Sequence, residues 1–419
     1  MRIALSLVVL GLSACAGGPG DDGKDGDVDT SVEVIPGPDD DTGDPGEEVP
    51  ARVPDVIVDC TGGADFLTIG DAIAGSRSGT KIGLNPCTYR EDVDFIGKSL
   101  DIFGIEGSAV TFIEGSGSGA VVKANHGESV GTRLAGVTVS GGATAGYHGS
   151  GMSVDLAIVL VEDVVFTRNN VGYSVLYATG SFLEFLDVTY ADNRVDPTGG
   201  IQVIDNGTYL AQRLTIGCTD ADFAIYQHNA MILLDSDIDC GTQYGVYSAG
   251  AGAHVRRSRV ESGGVGLYGG DTDDTRNERV WLWNSTFIGG DTAVSALYTH
   301  VKAENNVFWG GEIGLDLQHV HLESYVWNSA ASGATCGFRT DAATTYDLGW
   351  NADLGADCGA VAHDSVTAAP GFVDAPDDFT LEATSPLIDA GEPDDDSEDV
   401  DGTRNDIGIY GGPEGQGQP

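Results

Sequence analysis

Nine short blocks, each ending on an apolar or aromatic residue, recur along the chain at a nearly constant spacing, and this period constrains the fold more than any other feature. They are LAGVTV ending at Val139, VEDVVF at Phe166, FLDVTY at Tyr190, AQRLTI at Ile216, LDSDI at Ile238, VRRSRV at Val260, LWNSTF at Phe287, AENNVF at Phe308 and LESYVW at Trp327. Successive anchors are separated by 27, 24, 26, 22, 22, 27, 21 and 19 residues. Each block is rich in β-formers and is followed by Gly, Asn or Asp. A second strand then opens on Gly or Ala, as in GIQVI from Gly200, AIYQ from Ala224, GVYS from Gly245, GLYG from Gly266 and GLDL from Gly314. A strand, a sharp bend and another strand per repeat make one coil of a parallel β-solenoid, with coils stacked about 4.8 Å apart. A β-sandwich gives no reason for one residue class to return at one phase so many times.

The cysteines test this register. With Cys15 set aside, six remain, and six allow about 15 connectivities in principle. Cys218 and Cys240 each lie two residues after an anchor, Ile216 and Ile238, in adjacent coils, where stacked strands bring Cα atoms within disulfide range. Cys60 and Cys87 are 27 residues apart and Cys336 and Cys358 are 22 apart, again one coil. Three coil-to-coil staples are predicted, and they suit an oxidising compartment outside the cytoplasm.

The N-terminus supplies a route to such a compartment. Met1-Arg2 precedes an apolar run from Ile3 to Leu12, too short to span a bilayer as a mature helix, and then Leu12-Ser13-Ala14-Cys15. This resembles the cleavage signal of a bacterial lipoprotein, with Cys15 the lipidated residue. Ala16 after it, rather than Asp, implies the outer membrane as the address. From Gly17 to Pro50, 12 acidic residues face the single Lys24 among Gly and Pro, so residues 16–50 read as an extended, self-repelling tether. DDGKDGDVD within it lacks the closing Glu of an EF-hand. Residues 51–413 are then one elongated domain, with an N-cap at 56–75, coils over about 80–340 and a closing segment at 341–413; residues 414–419 read as a disordered tail.

The opening stretch DCTGGADFLTIGDAIAGSRSGTKIGLNPCTYREDVDF resembles the start of pectin-lyase-like right-handed β-helix proteins, where a short helix, here around Phe66 to Ala74, caps the open end of the core. NNVF and NSTF resemble that superfamily's parallel β-helix repeats, and PGFVDAPDDFTLEATSPLIDAGEPDDDSEDVDGTRNDIGIYGGP is similar to the closing segment of many bacterial surface β-helix proteins. The resemblance covers roughly residues 56–413 and implies an all-β, right-handed parallel β-helix. It is specific for fold and leaves activity open, because such folds host lyases, hydrolases, esterases and adhesins.

Register assigns the charged residues of the coils. LLDSDIDC places Asp235, Asp237 and Asp239 at alternate positions, and the next coil has Arg257 and Arg259 at the phases of the first two, with Arg213 below Asp235. A charge ladder is predicted there, worth roughly a few tenths to 1 kcal/mol per pair. Asp239 meets Glu261, a like-charge pair that would hold Ca²⁺ only if other oxygens converge. Asp399 and Asp401 in DVDG resemble a cation-binding turn and are the second Ca²⁺ candidate; no other cofactor is indicated. Asn284 and Asn305 share a phase and are expected to bond to their stacked equivalents.

The outward row of the second strand carries the functional expectation. In AIYQ, GVYS and GLYG the aliphatic residue points inward, so Tyr226, Tyr247 and Tyr268 point out, with Tyr177 and Gln202 placed below them. Such a strip suits stacking on sugar faces. Asp316 and Arg339 continue the row as polar contacts. If the chain is instead a polysaccharide lyase or glycoside hydrolase, the acids would come from Asp271, Asp273 and Asp274 in GDTDDTR or from Asp316 with Arg339. The hydrolase and pectinesterase motifs of the superfamily are missing, and GYHGSG at His148 is a faint echo. A purely structural stalk is the third reading.

Charge narrows the partners. The net charge is −45, from 20 basic and 65 acidic residues. Nucleic acid and anionic polysaccharides are repelled at that charge unless divalent cations intervene, so a neutral glycan, a surface protein or a calcium-bridged partner is consistent with it. The membrane is reached through the lipid on Cys15.

Overall fold

The computed structural model describes residues 52–144, 148–218, 221–250, 252–270, 278–321, 323–341, 346–353, 355, 358, 360 and 362–415. Cys15 and the tether lie outside them. Val53–Pro419 forms one compact unit, a right-handed parallel β-helix of about 12 turns. Each coil runs over three faces, for example 208–212, 215–218 and 223–228, and then 231–234, 237–240 and 244–248. In earlier coils the first two strands fuse into single long ones, 132–140, 158–167 and 182–191. The first and second faces meet at a bend, and the third is an 11-stranded parallel sheet among the described residues.

Eight of the nine anchors form one inward column. Val139 pairs with Phe166, Phe166 with Tyr190, Tyr190 with Ile216, and so on through Ile238, Val260, Phe287 and Phe308. All are buried, and rings meet along the axis, with Phe166 and Tyr190 centroids 4.8 Å apart and Phe287 and Phe308 5.8 Å apart. The ninth differs. Phe308 pairs with Ala331, whereas Trp327 ends a first-face strand and pairs with Glu304. SYVW is so strongly β-forming that it masks the small-residue strand Ala330–Ser332 beyond the bend.

The bend has its own chemistry. Asp187, Arg213, Asp235, Arg257, Asn284, Asn305 and Asn328 all hold φ between 44° and 55°, the left-handed region that polar residues such as Asn and Asp enter most readily. Asp235 therefore sits in the bend, off the strand that carries Asp237 and Asp239. The next residue of each coil builds a ladder: Ser236, Ser258, Ser285, Asn306, Ser329 and Asn351 each accept a backbone N–H from the coil below, at 2.9 to 3.1 Å. These N–H groups are turned away from the sheets by the bend, and the side chains satisfy them where water cannot reach. Asn284 and Asn305 do not bond to their stacked equivalents. Asn284 donates to the carbonyls of Ile409 and Gly411, and Asn305 to Asn405 Oδ1 and the Asp406 carbonyl.

Those partners belong to the closing segment, which lies back along the outside of the second face. The coil ladder itself runs on past residue 340, through Ala352–Asp353 to a bridge between Ala352 and Val366. Outward positions of the second face change from charged, Asp237 and Arg259, to apolar, Ile288, Val307, Ala330 and Ala352. Phe379, Leu381, Leu387 and Ile407 cover the latter as a second core. Glu414, read as tail from composition, pairs with Arg256 and Arg257.

At the other end the predicted helix forms over Ile69–Gly75 and buries Ile69, Ala72 and Ile73 on the core. Both of its ends are held by the next coil. Glu91 accepts the Ile69 and Gly70 N–H groups at 2.8 Å each, and Lys98 Nζ donates to the carbonyls of Ile73, Ala74 and Ser76. An acid at the helix start and a base at its end complement the helix dipole. The three predicted disulfides close, Cys60–Cys87, Cys218–Cys240 and Cys336–Cys358, with Cα separations of 6.3, 4.6 and 5.8 Å.

Candidate functional site on the third face

The outward row of the third face runs in strict register: Tyr177, Val203, Tyr226, Tyr247, Tyr268, Ser295, Asp316, Arg339. The three tyrosines thus stand one above another, as their triplets predicted. Gln202 does not belong to the row. It pairs with Leu176 and Ile225, faces inward and is fully buried, its place outside taken by Val203. The strand opens on Gly200-Ile201, and counting inward residues from Ile201 rather than along the sheet shifts the alternation by one. Inside, the Gln202 amide lies beside the Tyr190 and Tyr209 hydroxyls without closing a hydrogen bond of good geometry to either.

The rings stack on each other. Tyr226 and Tyr247 centroids are 5.5 Å apart with planes 8° apart, and Tyr247 and Tyr268 are 4.7 Å and 16°. Phe223 and Tyr244, missed in the sequence, extend the cluster. Phe223 meets Tyr226 edge-on at 5.3 Å, and Tyr244 meets Tyr247 edge-on at 5.1 Å. Their signal was an aromatic just before Ala224 and Gly245, where AIYQ and GVYS begin. Because neighbouring coils occupy the faces, the strip shows solvent mainly ring edges. The expected sugar-face platform is therefore a ladder of phenol edges, repeating once per coil.

Polar groups frame it. His228 Nδ1 lies 3.1 Å from Asp205 Oδ1 beside the lower end of the strip. Burial, and then the charge of Asp205, raise the Tyr226 hydroxyl above its ordinary value, so it stays protonated. Above the strip Arg339 straddles Asp316 with Nε 2.8 Å from Oδ1, and Gln318 Nε2 donates to the same carboxylate at 2.8 Å. Asp316 is 3% exposed and serves to anchor Arg339, a poor setting for proton transfer. His148 meets Tyr177 edge-on at 6.5 Å. Asp271, Asp273 and Asp274 lie outside the described residues.

The calcium candidates are used locally. Asp239 pairs in register with Glu261, but Glu261 is held by Arg259 on its own strand, which also draws Arg259 away from Asp237. Asp235 is gripped by Arg257, with Nε 2.6 Å from Oδ1, while Arg213 turns down to Asp187. Asp401 accepts from the N–H and hydroxyl of Thr403. Asp399 accepts from the N–H groups of Asp406 and Gly412 and so knots the closing segment.

Burial pushes the Asp399 carboxyl up to about 6 from an ordinary 3.8. The folded chain then holds more protons than the unfolded one between those values, and stability falls as pH rises through that window. Asp399→Asn keeps an oxygen acceptor without the charge. It is expected to stabilise the protein at pH 7 by roughly 1–2 kcal/mol, discounted for partial exposure, and to have little effect at pH 4. Urea unfolding of both proteins at the two pH values checks this; an equal difference at both would contradict it.

A second aromatic column, unanticipated, lies on the first face. His254 stacks on Trp281 at 4.4 Å, and Lys302 Nζ lies 5.5 Å from Trp281 and 5.6 Å from Tyr325. Burial, with Arg279 and Arg256 nearby, lowers His254 to about 4, so it stacks as a neutral ring. Each ring is sandwiched by its coil neighbours, a stabilising cation–π ladder.

Fold and register together define a right-handed parallel β-helix protein. Among solved structures the chain is similar to the pectate lyase Pel9A, with 15% identity, 83% of this chain and 91% of that chain covered, and a TM-score of 0.41. It is similar to the pectin methylesterase PemA from Erwinia chrysanthemi, with 14% identity, coverage of 60% and 90%, and a TM-score of 0.36. To a pectin methylesterase from carrot the values are 16%, 76% and 88%, and 0.32. These are likenesses of fold alone. No protein-family model and no curated protein matches the chain.

Proposed function

We propose that this chain is an outer-membrane lipoprotein, anchored through Cys15 and held off the surface by its acidic tether, whose β-helix binds a neutral polysaccharide without altering it. The observation that carries the reading is the tyrosine stack in register over three coils, Tyr226, Tyr247 and Tyr268. One coil rise is close to the length of one sugar unit, so an extended glycan along the axis meets a phenol edge at each unit. Side chains stand roughly perpendicular to a sheet, which puts the hydroxyl ends farthest out, where they suit sugar hydroxyls. The strong negative charge disfavours acidic glycans.

Two features support binding over turnover. Asp316, the acid in the row, is committed to Arg339, and Asp205 to His228. The experiment is to incubate the protein with neutral polysaccharides, recover the bound fraction and measure reducing ends and unsaturated sugars. Retained glycan of unchanged length is expected. New reducing ends or ultraviolet-absorbing products would establish a hydrolase or lyase instead.

A further inference from the structure

We propose that Asp94, His126 and Glu128 form a binding site for a divalent transition-metal ion, zinc by its donor set, that ties the turns of two adjacent coils together. The site lies at the N-terminal end of the third face, apart from the tyrosine strip and from every acid considered above. Asp94 ends the strand Val93–Asp94, and His126 and Glu128 follow the strand Val122–Ala124 of the next coil; the two strands are in register. One carboxylate oxygen from each acid and a ring nitrogen of His126 all lie within 4.8 Å of one another. His126 Nδ1 is 3.4 Å from Asp94 Oδ1 and 4.0 Å from Glu128 Oε1.

A tetrahedral zinc ion with ligands at about 2.1 Å needs its donors about 3.4 Å apart. The His126–Asp94 spacing of 3.4 Å already matches that value, and the other donors, within 4.8 Å of one another, close in by side-chain rotation on binding. Imidazole nitrogen selects zinc and its neighbours over calcium or magnesium, which favour oxygen alone.

The burial of Glu128 is the second, independent observation. Its side chain is 0% exposed, while those of His126 and Asp94 are 53% and 35% exposed. Among the described residues no lysine or arginine pairs with it, so a carboxylate is withdrawn from water with only neutral partners and a histidine. Its two oxygens meet backbone N–H groups, and a bound cation would add the full positive charge that no lysine or arginine supplies there.

The surroundings fix the donors as metal sites require. Glu128 Oε1 accepts the Gly97 N–H at 2.9 Å and Oε2 the His126 N–H at 3.0 Å, and Asp94 Oδ1 accepts the Ile96 N–H at 2.8 Å. Hydrogen bonds of this kind orient ligating carboxylates. Gly97 holds φ 74°, a backbone conformation that a side chain would strain, beside the His126 carbonyl. The exposed flank of His126 and Asp94 leaves the remaining coordination position to water.

The test is calorimetric titration of the full-length chain with zinc chloride, beside His126→Ala and Asp94→Asn. One saturable zinc site is expected in the wild type, weakened at least tenfold in each variant, with calcium giving no heat at this site. Cobalt in place of zinc should give visible d–d absorption in the wild type that His126→Ala lacks. Both substituted residues are partly exposed, so circular dichroism can confirm that the variants fold. Zinc isotherms indistinguishable between wild type and the two folded variants would overturn the proposal, because any zinc would then sit elsewhere, as on the acidic tether.

Discussion

Asn306→Ala is expected to lower the free energy of unfolding by about 3–5 kcal/mol, a large loss for one small side chain. Asn306 is 0% exposed. Its Oδ1 accepts the Ser285 N–H at 3.1 Å, and its Nδ2 donates to the carbonyls of Leu282 and Glu304 at 2.9 and 2.8 Å. Alanine deletes all three bonds and leaves a buried N–H without a partner, which costs more than the bonds themselves contribute. Asn306→Ser is the informative companion. Serine already fills this column at 258, 285 and 329, so it should restore an acceptor for Ser285 and recover about half of the loss. Denaturant unfolding measures both, and equal losses for Ala and Ser would show that the ladder is not what holds the bend.

The parts of the molecule legible in the sequence are those set by the coil period. Eight anchors, the three disulfides and the tyrosine row all follow from one rule, that equal phase means equal position, and the stacked backbone enforces it. The errors arise where a coil changes length or its surroundings change. Trp327 stood in for Ala331 because a small buried residue carries little β signal. Gln202 reads as outward when the alternation is counted from Ile201, whereas the sheet register turns it inward, where the core admits it beside Tyr190 and Tyr209.

The closing segment shows a different limit. Its cover over Ile288, Val307 and Ala330 joins residues far apart in sequence, which no local period reports. A hint was present, since outward positions that were charged at Asp237 and Arg259 turn apolar from Ile288 onward. The Asp94, His126 and Glu128 cluster was invisible for a similar reason: its members lie in turns of two coils, before the first of the aligned blocks.

The second prediction of large effect concerns the phenol edges themselves. Since stacking occupies the ring faces, the proposed binding rests on hydroxyls rather than faces, and this separates two substitutions that a sugar-face platform would not. Tyr226→Phe/Tyr247→Phe keeps the stack and removes two hydroxyls, whereas Tyr226→Ala/Tyr247→Ala removes both. The deciding measurement is affinity electrophoresis of the protein through gels containing neutral or acidic polysaccharides, with both double variants alongside. The account predicts retardation of the wild type in a neutral gel, lost in the Ala pair and lost to a similar degree in the Phe pair. Equal migration of wild type and both variants in every gel would contradict it and leave a disulfide-stapled β-helix with no glycan site on this face.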